Sequence, residues 1–201
     1  MNYPAMLNLK NKKCAVIGGG SVALRKCLTL LECEASIKVI SPEFQKEFDE
    51  LDPAHVLLIH DIFKPHYIAD CFLVIAATGE KETNREIYNY CEENRILINV
   101  VDEPELCSFI APAYLQRGDL TISISTGGKS PALAKKIKEE IGKIYPVEYA
   151  EYVETMGLIR AEILKKGYPP QKRKQILTEL LDLSPEELSA YLNNLMLQPN
   201  G

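Results

Sequence analysis

The sequence predicts an α/β protein with a parallel sheet at its N-terminal end, a small α+β region after it, and helices to finish. Two observations carry this. Short, continuously apolar runs alternate with helical patterns through the first hundred residues, ending at "RILINVV". Strands that are apolar throughout are buried on both faces, as in parallel sheets joined by crossovers. Beyond Asp102 the pattern changes to a hairpin and then to helical periodicity.

The strand candidates are "KCAVIGG", "SIKVIS", "HVLLIHD", "CFLVIAATG" and "RILINVV". "SVALRKCLTLLEC" and "TNREIYNYCEEN" are the helical segments between them. Further on, "SFIAPAYLQRGDLTISIST" predicts a hairpin that turns near Arg117-Gly118-Asp119, since glycine and aspartate favour tight turns. Ser130 fits an N-cap and Pro131 the first helical position of "PALAKKIKEEIGKI", where Leu133, Ile137, Ile141 and Ile144 share one face. From Val147 the pattern is helical, with Tyr149, Tyr152, Met156, Ile159 and Ile163 spaced by three and four. Pro169 and Pro170 interrupt it, and Ser184, Pro185 and Glu187 form a capping box. The expected divisions are 1–112, 113–146 and 147–201.

Composition narrows the function classes. The chain has 201 residues, 46% hydrophobic and 25% charged, and a formal net charge of -5. That balance argues against a general nucleic-acid binder while leaving room for a local basic pocket. No run reaches membrane-spanning length, and "MNYPAMLNLKNKK" lacks the apolar core of a signal peptide. Neither a membrane partner nor a nucleic-acid partner is expected. The six cysteines form no CxxC pair, so they are expected to be reduced, mostly buried thiols in a cytoplasmic protein. His55, His60 and His66 give no metal-ligand spacing, and no metal site is expected.

The chemistry begins in "VIGGGSVALRK", where Gly18, Gly20 and Ala23 make G-x-G-x-x-A between a strand and a helix. The first glycine permits the turn, the second lets a pyrophosphate approach the backbone, and the alanine lets the helix pack on the sheet. The helix N-terminus then offers unpaired N–H groups to the anion. This predicts a Rossmann-type dinucleotide site with Gly18, Gly19, Gly20, Ser21 and Val22 at the phosphates. Ser41 and Pro42 follow the second strand, and Ala77 and Thr78 follow the fourth, at the same carboxyl edge. The second strand ends without an adjacent acid for the ribose; Ser41 is the substitute, with Glu43 nearby. Lys38 and Lys46 keep a phosphorylated ribose open. NAD is the expected cofactor.

Asp102 emerges at the end of the fifth strand. A carboxylate there can take a proton or steady a cation beside a hydride acceptor; it can also merely end the strand and accept loop hydrogen bonds. Glu103 and Glu105 read as solvated loop acids. In "STGGKS", Gly127 and Gly128 free the backbone and Ser130 caps the next helix, an arrangement able to bind a carboxylate. Lys129, Lys135, Lys136 and Arg117 can add positive charge.

Taken together, "VIGGGSVALRK", "VISPE", "AATG", "NREIYNYC", "NVVDEPELCSFIAPA" and "ISISTGGKSPALAKKIKEEI" resemble precorrin-2 dehydrogenase, the N-terminal part of multifunctional siroheme synthase. The resemblance extends to about Lys166 and more loosely into the tail. It implies NAD-dependent oxidation of precorrin-2 to sirohydrochlorin, on the way to siroheme or other modified tetrapyrroles. It implies Asp102 as the catalytic aspartate and an anionic tetrapyrrole bound by Ser125, Thr126, Gly127, Gly128, Lys129 and Ser130. It implies a homodimer in which the segment after Asp102 crosses between subunits and 113–146 is the dimerisation region. Thr126 stands where the family often has serine. Some relatives also insert iron or cobalt, so a bifunctional dehydrogenase and chelatase is an alternative. The length predicts no attached methyltransferase domain. Two readings stand apart from the resemblance: a non-catalytic dinucleotide-sensing module, and an oxidoreductase for another small molecule.

Overall fold

The computed structural model describes residues 2–197; residues 198–201 at the end of the predicted helical region lie outside them. The chain divides into two compact units, 1–111 and 112–201.

The first unit is a five-stranded parallel sheet in the order β3-β2-β1-β4-β5, formed by β1 (Lys13–Ile17), β2 (Ser36–Ser41), β3 (Val56–His60), β4 (Leu73–Ala76) and β5 (Leu97–Val100). Chain order reverses direction between β1 and β4, the crevice where such sheets bind nucleotides. Helix α1 (Ser21–Glu32) follows β1, and α2 (Lys81–Asn94) follows β4. The links flanking β3 are shorter than an alternating pattern predicts: 3₁₀ turns at Lys46–Glu50 and Pro65–Tyr67. Each contains proline or sits close to one, and neither has an apolar stripe long enough to support an α-helix.

Alternation along the strands builds a core on each face. Cys14 and Val16 of β1 join Leu73 and Ile75 of β4, with Ala23, Cys27 and Leu30 of α1. Ala15 and Ile17 point the other way, meeting Val74, Ala76, Ile98 and Val100, with Ile87 and Cys91 of α2. Small side chains at Ala23 and Cys27, both 0% exposed, let α1 lie close on the sheet. At the opposite edge from the loops, Asp70 accepts hydrogen bonds from Lys13 and Lys38 of adjacent strands, both at 2.8 Å. Lys38 also donates to the Tyr67 carbonyl. It is therefore committed away from any ribose, which corrects the expectation that it might serve a phosphate there.

The second unit opens with the antiparallel hairpin β6 (Ala113–Arg117) and β7 (Leu120–Ile124), turning at Gly118 with φ +55°. Helix α3 (Pro131–Ile144) packs on β6 and β7. Its buried residue is Ala134, while Leu133 and Ile144 at the ends of the predicted stripe are 48% and 65% exposed. The hairpin has too few residues to cover the whole stripe. Arg117 is engaged within its own unit: its Nε donates to the Tyr145 carbonyl at 3.0 Å, closing the C-terminal end of α3.

Helices α4 (Tyr149–Lys165), α5 (Pro170–Glu179) and α6 (Pro185–Leu197) complete this unit. Ile159, Ile163, Leu180, Leu188 and Leu195 form their common core, with Tyr152 and Met156 packed on its edge. The predicted capping box is present: Ser184 N donates to Glu187 Oε2 at 2.8 Å, and Glu187 N donates to Ser184 Oγ at 3.3 Å. Among the described residues, no helix is long and apolar enough to cross a membrane.

All six cysteines are free, and Cys14, Cys27, Cys71 and Cys91 are buried. Burial pushes the thiols of Cys14 and Cys91 up to about 12, and those of Cys27 and Cys71 up to about 11. The thiolate is the reactive form. Near neutral pH, a disulfide reagent should therefore modify exposed Cys33 first and half-buried Cys107 slowly. The other four should respond only after denaturant is added. Rapid reaction of any of those four in the folded protein would contradict this packing.

Candidate functional site

The carboxyl edge of the parallel sheet gathers the loops that follow β1, β2, β3 and β4 around one cavity of about 600 Å³. That volume suits a small-molecule or cofactor site. Gly18, Gly19, Gly20, Ser21, Val22, Ser41, Pro42, Ala77 and Thr78 all line it, so the nine residues expected at a dinucleotide are brought together.

Each glycine of the turn has a different physical reason. Gly18 adopts φ +126°, and a Cβ there would lie 2.3 Å from the Ala77 carbonyl oxygen. This position needs glycine for conformation and for contact. A Cβ on Gly19 would lie 1.9 Å from the Glu43 carbonyl oxygen, so the turn also packs against the chain leaving β2. Gly20 meets nothing within 4 Å. Its open side faces the space that a phosphate would need. Gly20 is also the N-cap of α1, with no side-chain cap and no acid in the first helical turn. The orphan N–H groups of that turn are thus left to an anion.

Backbone hydrogen bonds fix the turn. Gly18 N donates to the Ile40 carbonyl, Gln45 N to Gly19, and Ala77 N to Ile17, each at 2.8 Å. Ser41, expected to contact a ribose, is 8% exposed, and its Oγ donates to the Glu43 carbonyl at 2.6 Å. It shapes the loop with its proton, and only its oxygen lone pairs remain for a ligand. Thr78 is similarly engaged. Its Oγ1 donates to buried Asn84 Oδ1 at 2.8 Å and accepts from Glu80 N at 3.0 Å. This holds the loop after β4, where Gly79 has φ +75°.

Gln45, Ile62, Phe63, Glu80, Thr83 and Glu86 also line the cavity and were not anticipated. A usable signal existed for Ile62 and Phe63, because every strand of a parallel sheet delivers its following loop to the same edge. None existed for Thr83 and Glu86, which reach the cavity through the packing of α2.

Asp102 lies two residues beyond β5, at that same edge, but it is not among the residues lining the cavity. Its backbone is left-handed, φ +62°, a conformation that Asp and Asn tolerate best among non-glycine residues. Its side chain is exposed and makes no hydrogen bond or ion pair among the described residues. The loop it begins is tied down by its neighbours instead: Cys107 Sγ accepts from Val100 N at 3.2 Å, and Ser108 Oγ accepts from Ile98 N at 2.8 Å.

Ser125, Thr126, Gly127, Gly128, Lys129 and Ser130 form the loop between β7 and α3. Gly127 and Gly128 have φ +62° and +80°. The backbone expected to be open to a carboxylate here has three of its N–H groups engaged within the loop. Gly127 N donates to Ser125 Oγ, Lys129 N to the Thr126 carbonyl and Ser130 N to Thr126 Oγ1. Ser130 Oγ accepts from Leu133 N as the predicted cap. The short hydroxyl side chains fold the loop onto itself and take up the Gly127 and Ser130 N–H groups. Lys129 and Lys135 are exposed and make no ion pair among the described residues, whereas Lys136 lies 3.8 Å from Glu140. No group of three or more His, Cys, Asp or Glu side chains is placed to hold a metal ion among the described residues.

Comparison with known proteins follows this division. Residues 5–113 match the family described as "Putative NAD(P)-binding". The chain belongs to this NAD(P)-binding family. Its members' cofactor class agrees with the glycine turn, the open side of Gly20 and the cavity. Residues 117–144, from the hairpin turn through β7 and α3, match the family described as "Sirohaem biosynthesis protein central". A siroheme synthase of Pseudoalteromonas translucida is 34% identical over 186 residues, which is 92% of this chain and 39% of that protein. A siroheme synthase of Nitrosomonas europaea is 34% identical over 177 residues, 87% of this chain and 37% of that protein. The chain thus spans well under half the length of these curated relatives. Among solved structures, "SirC, precorrin-2 dehydrogenase" superposes with a TM-score of 0.81 at 26% identity, covering 96% of this chain and 100% of that one. This neighbour's fold agrees with the order of sheet, hairpin and helices found here.

Proposed function

We propose that this chain oxidises precorrin-2 to sirohydrochlorin with NAD as hydride acceptor, in siroheme or related tetrapyrrole biosynthesis, as a cytoplasmic homodimer. The observation that supports this most is the free carboxylate of Asp102 at the edge of the sheet that carries the glycine turn. The likeness to the named dehydrogenase and to siroheme synthases supplies the substrate class.

The residues present fit a dinucleotide. The first turn of α1 offers N–H groups to the pyrophosphate, Gly20 leaves room for it, and the loops after β2 and β4 flank it. Bound nicotinamide supplies the hydride-accepting carbon. The oxidation also releases a proton, and Asp102 is assigned to take it or to stabilise the positive charge that precedes its loss. Among the described residues no Lys or Arg lines the cavity, while Glu80 and Glu86 do. A ribose 2′-phosphate would find no cation there, which favours NAD over NADP. Ser125 to Ser130 and the free cations of Lys129 and Lys135 are assigned to the polycarboxylate substrate, and 113–146 to dimerisation.

Anaerobic incubation with precorrin-2, followed by absorbance, tests this directly. NAD should support turnover with a kcat/KM at least about tenfold above that with NADP, the effect of one unfavourable charge placement of about 1.4 kcal/mol. Absence of any NAD-dependent oxidation would remove the assignment. Light scattering should give the mass of two chains.

A further inference from the structure

The chain leaving β3 contributes Ile62 and Phe63 to the cavity, and Ile62 is 62% exposed. Phe63 is the aromatic side chain among the lining residues. An isoleucine held in solvent at a cavity rim needs something to hold it there. Asp61 does so from one carboxylate. Its Oδ1 accepts from Ile62 N at 2.8 Å, and its Oδ2 accepts from Lys64 Nζ and from Tyr67 OH, both at 2.5 Å. Tyr67 packs against the core on the α2 face, and the next residue, Ile68, is 0% exposed. The loop is therefore moored to the interior through Tyr67. The hydrogen bond from Lys64, then that from Tyr67, lowers the Asp61 carboxyl to about 2, so it stays ionised across the physiological range.

The dinucleotide's direction follows from the sheet. The end of β2 serves the ribose of the adenosine half, and β3 is the next strand outward. A ring extending outward from that ribose would reach the loop after β3, whose Ile62 and Phe63 line the same cavity as Ser41 and Pro42. We propose that Asp61 is a positioning residue for the adenine half of the dinucleotide, holding Ile62 and Phe63 as the apolar wall against which the flat base packs. This rests on dinucleotide binding and is independent of tetrapyrrole oxidation.

The test uses the full chain without tetrapyrrole. NADH binding is followed by its fluorescence, with AMP and nicotinamide mononucleotide as displacing ligands. Asp61→Ala should weaken AMP about tenfold, as expected for losing part of one packed apolar face, and leave nicotinamide mononucleotide within about twofold. Tyr67→Phe keeps the ring in the core and removes one donor to Asp61. It should cause a smaller loss in the same direction, and it carries the test alone if Asp61→Ala fails to fold. Unchanged AMP affinity in the folded variants would overturn the proposal, as would equal loss for both half-ligands, which marks general collapse of the unit. A wild-type chain that binds NADH and does not oxidise precorrin-2 sinks only the oxidation reading.

Discussion

Replacing Asp102 with asparagine should lower precorrin-2 oxidation by about 10²–10⁴-fold, the usual contribution of a positioned acid or base. The substitution isolates the charge. Asparagine tolerates the left-handed backbone found here, φ +62°, about as well as aspartate does. No hydrogen bond or ion pair within the described chain is lost, because the carboxylate makes none. Asp102 does not line the cavity, so NADH affinity should stay within about twofold. Single-turnover absorbance measurements beside NADH titrations separate the two quantities. Full turnover by the variant would return Asp102 to a strand-ending role and favour a dinucleotide-sensing module. Loss of both turnover and NADH affinity would mean that the residue acts through the cofactor site.

The glycine turn gives the second large effect, and its glycines should behave differently. Gly18→Ala combines a forbidden φ of +126° with a Cβ 2.3 Å from a backbone oxygen. Backbone strain and overpacking of this kind each cost about 1–3 kcal/mol. Against a total stability of about 5–15 kcal/mol, the variant should melt well below the parent or fail to fold. Gly20→Ala places its Cβ in open space and exchanges one N-cap residue for a poorer one, at a cost of about 1 kcal/mol. It should keep its melting temperature within a few degrees and yet bind NADH at least about tenfold more weakly, since the methyl occupies the approach of the pyrophosphate. Calorimetry and NADH titration on both variants check this. Equal stability of the two would show that the turn relaxes around Gly18. Unaltered NADH affinity in Gly20→Ala would move the phosphates away from α1.

The contrast between these glycines marks what local pattern encodes. G-x-G-x-x-A after a strand announced the turn, and the apolar runs announced the buried parallel strands. Ser130 and Ser184 announced their helix starts. Each signal lies within a few residues of the structure it specifies, because strand alternation, helix periodicity and capping are nearest-neighbour effects. The resemblance through "NVVDEPELCSFIAPA" and "ISISTGGKSPALAKKIKEEI" carried the rest of the functional reading, and the sirohaem central match at 117–144 agrees with it.

Other assignments needed the fold, since they depend on partners far apart in sequence. Lys38 reads as a candidate phosphate ligand until Asp70 is found beside it. Arg117 reads as a candidate anion ligand until its guanidinium meets the Tyr145 carbonyl. Ser41 reads as a free hydroxyl, and Ser125 and Thr126 as hydroxyls for the substrate, until their hydrogen bonds to nearby backbone are seen. Ile62 and Phe63 carry no motif; Asp61 and Tyr67 make them part of a cavity. By itself, then, the sequence determined the strands, the principal helices, the glycine turn after β1 and the acid at the end of β5. Tertiary structure alone decided which polar groups remain free for ligands. A side chain's donors and charges are allotted by whatever lies within hydrogen-bond reach, and chain folding, not residue order, sets that company.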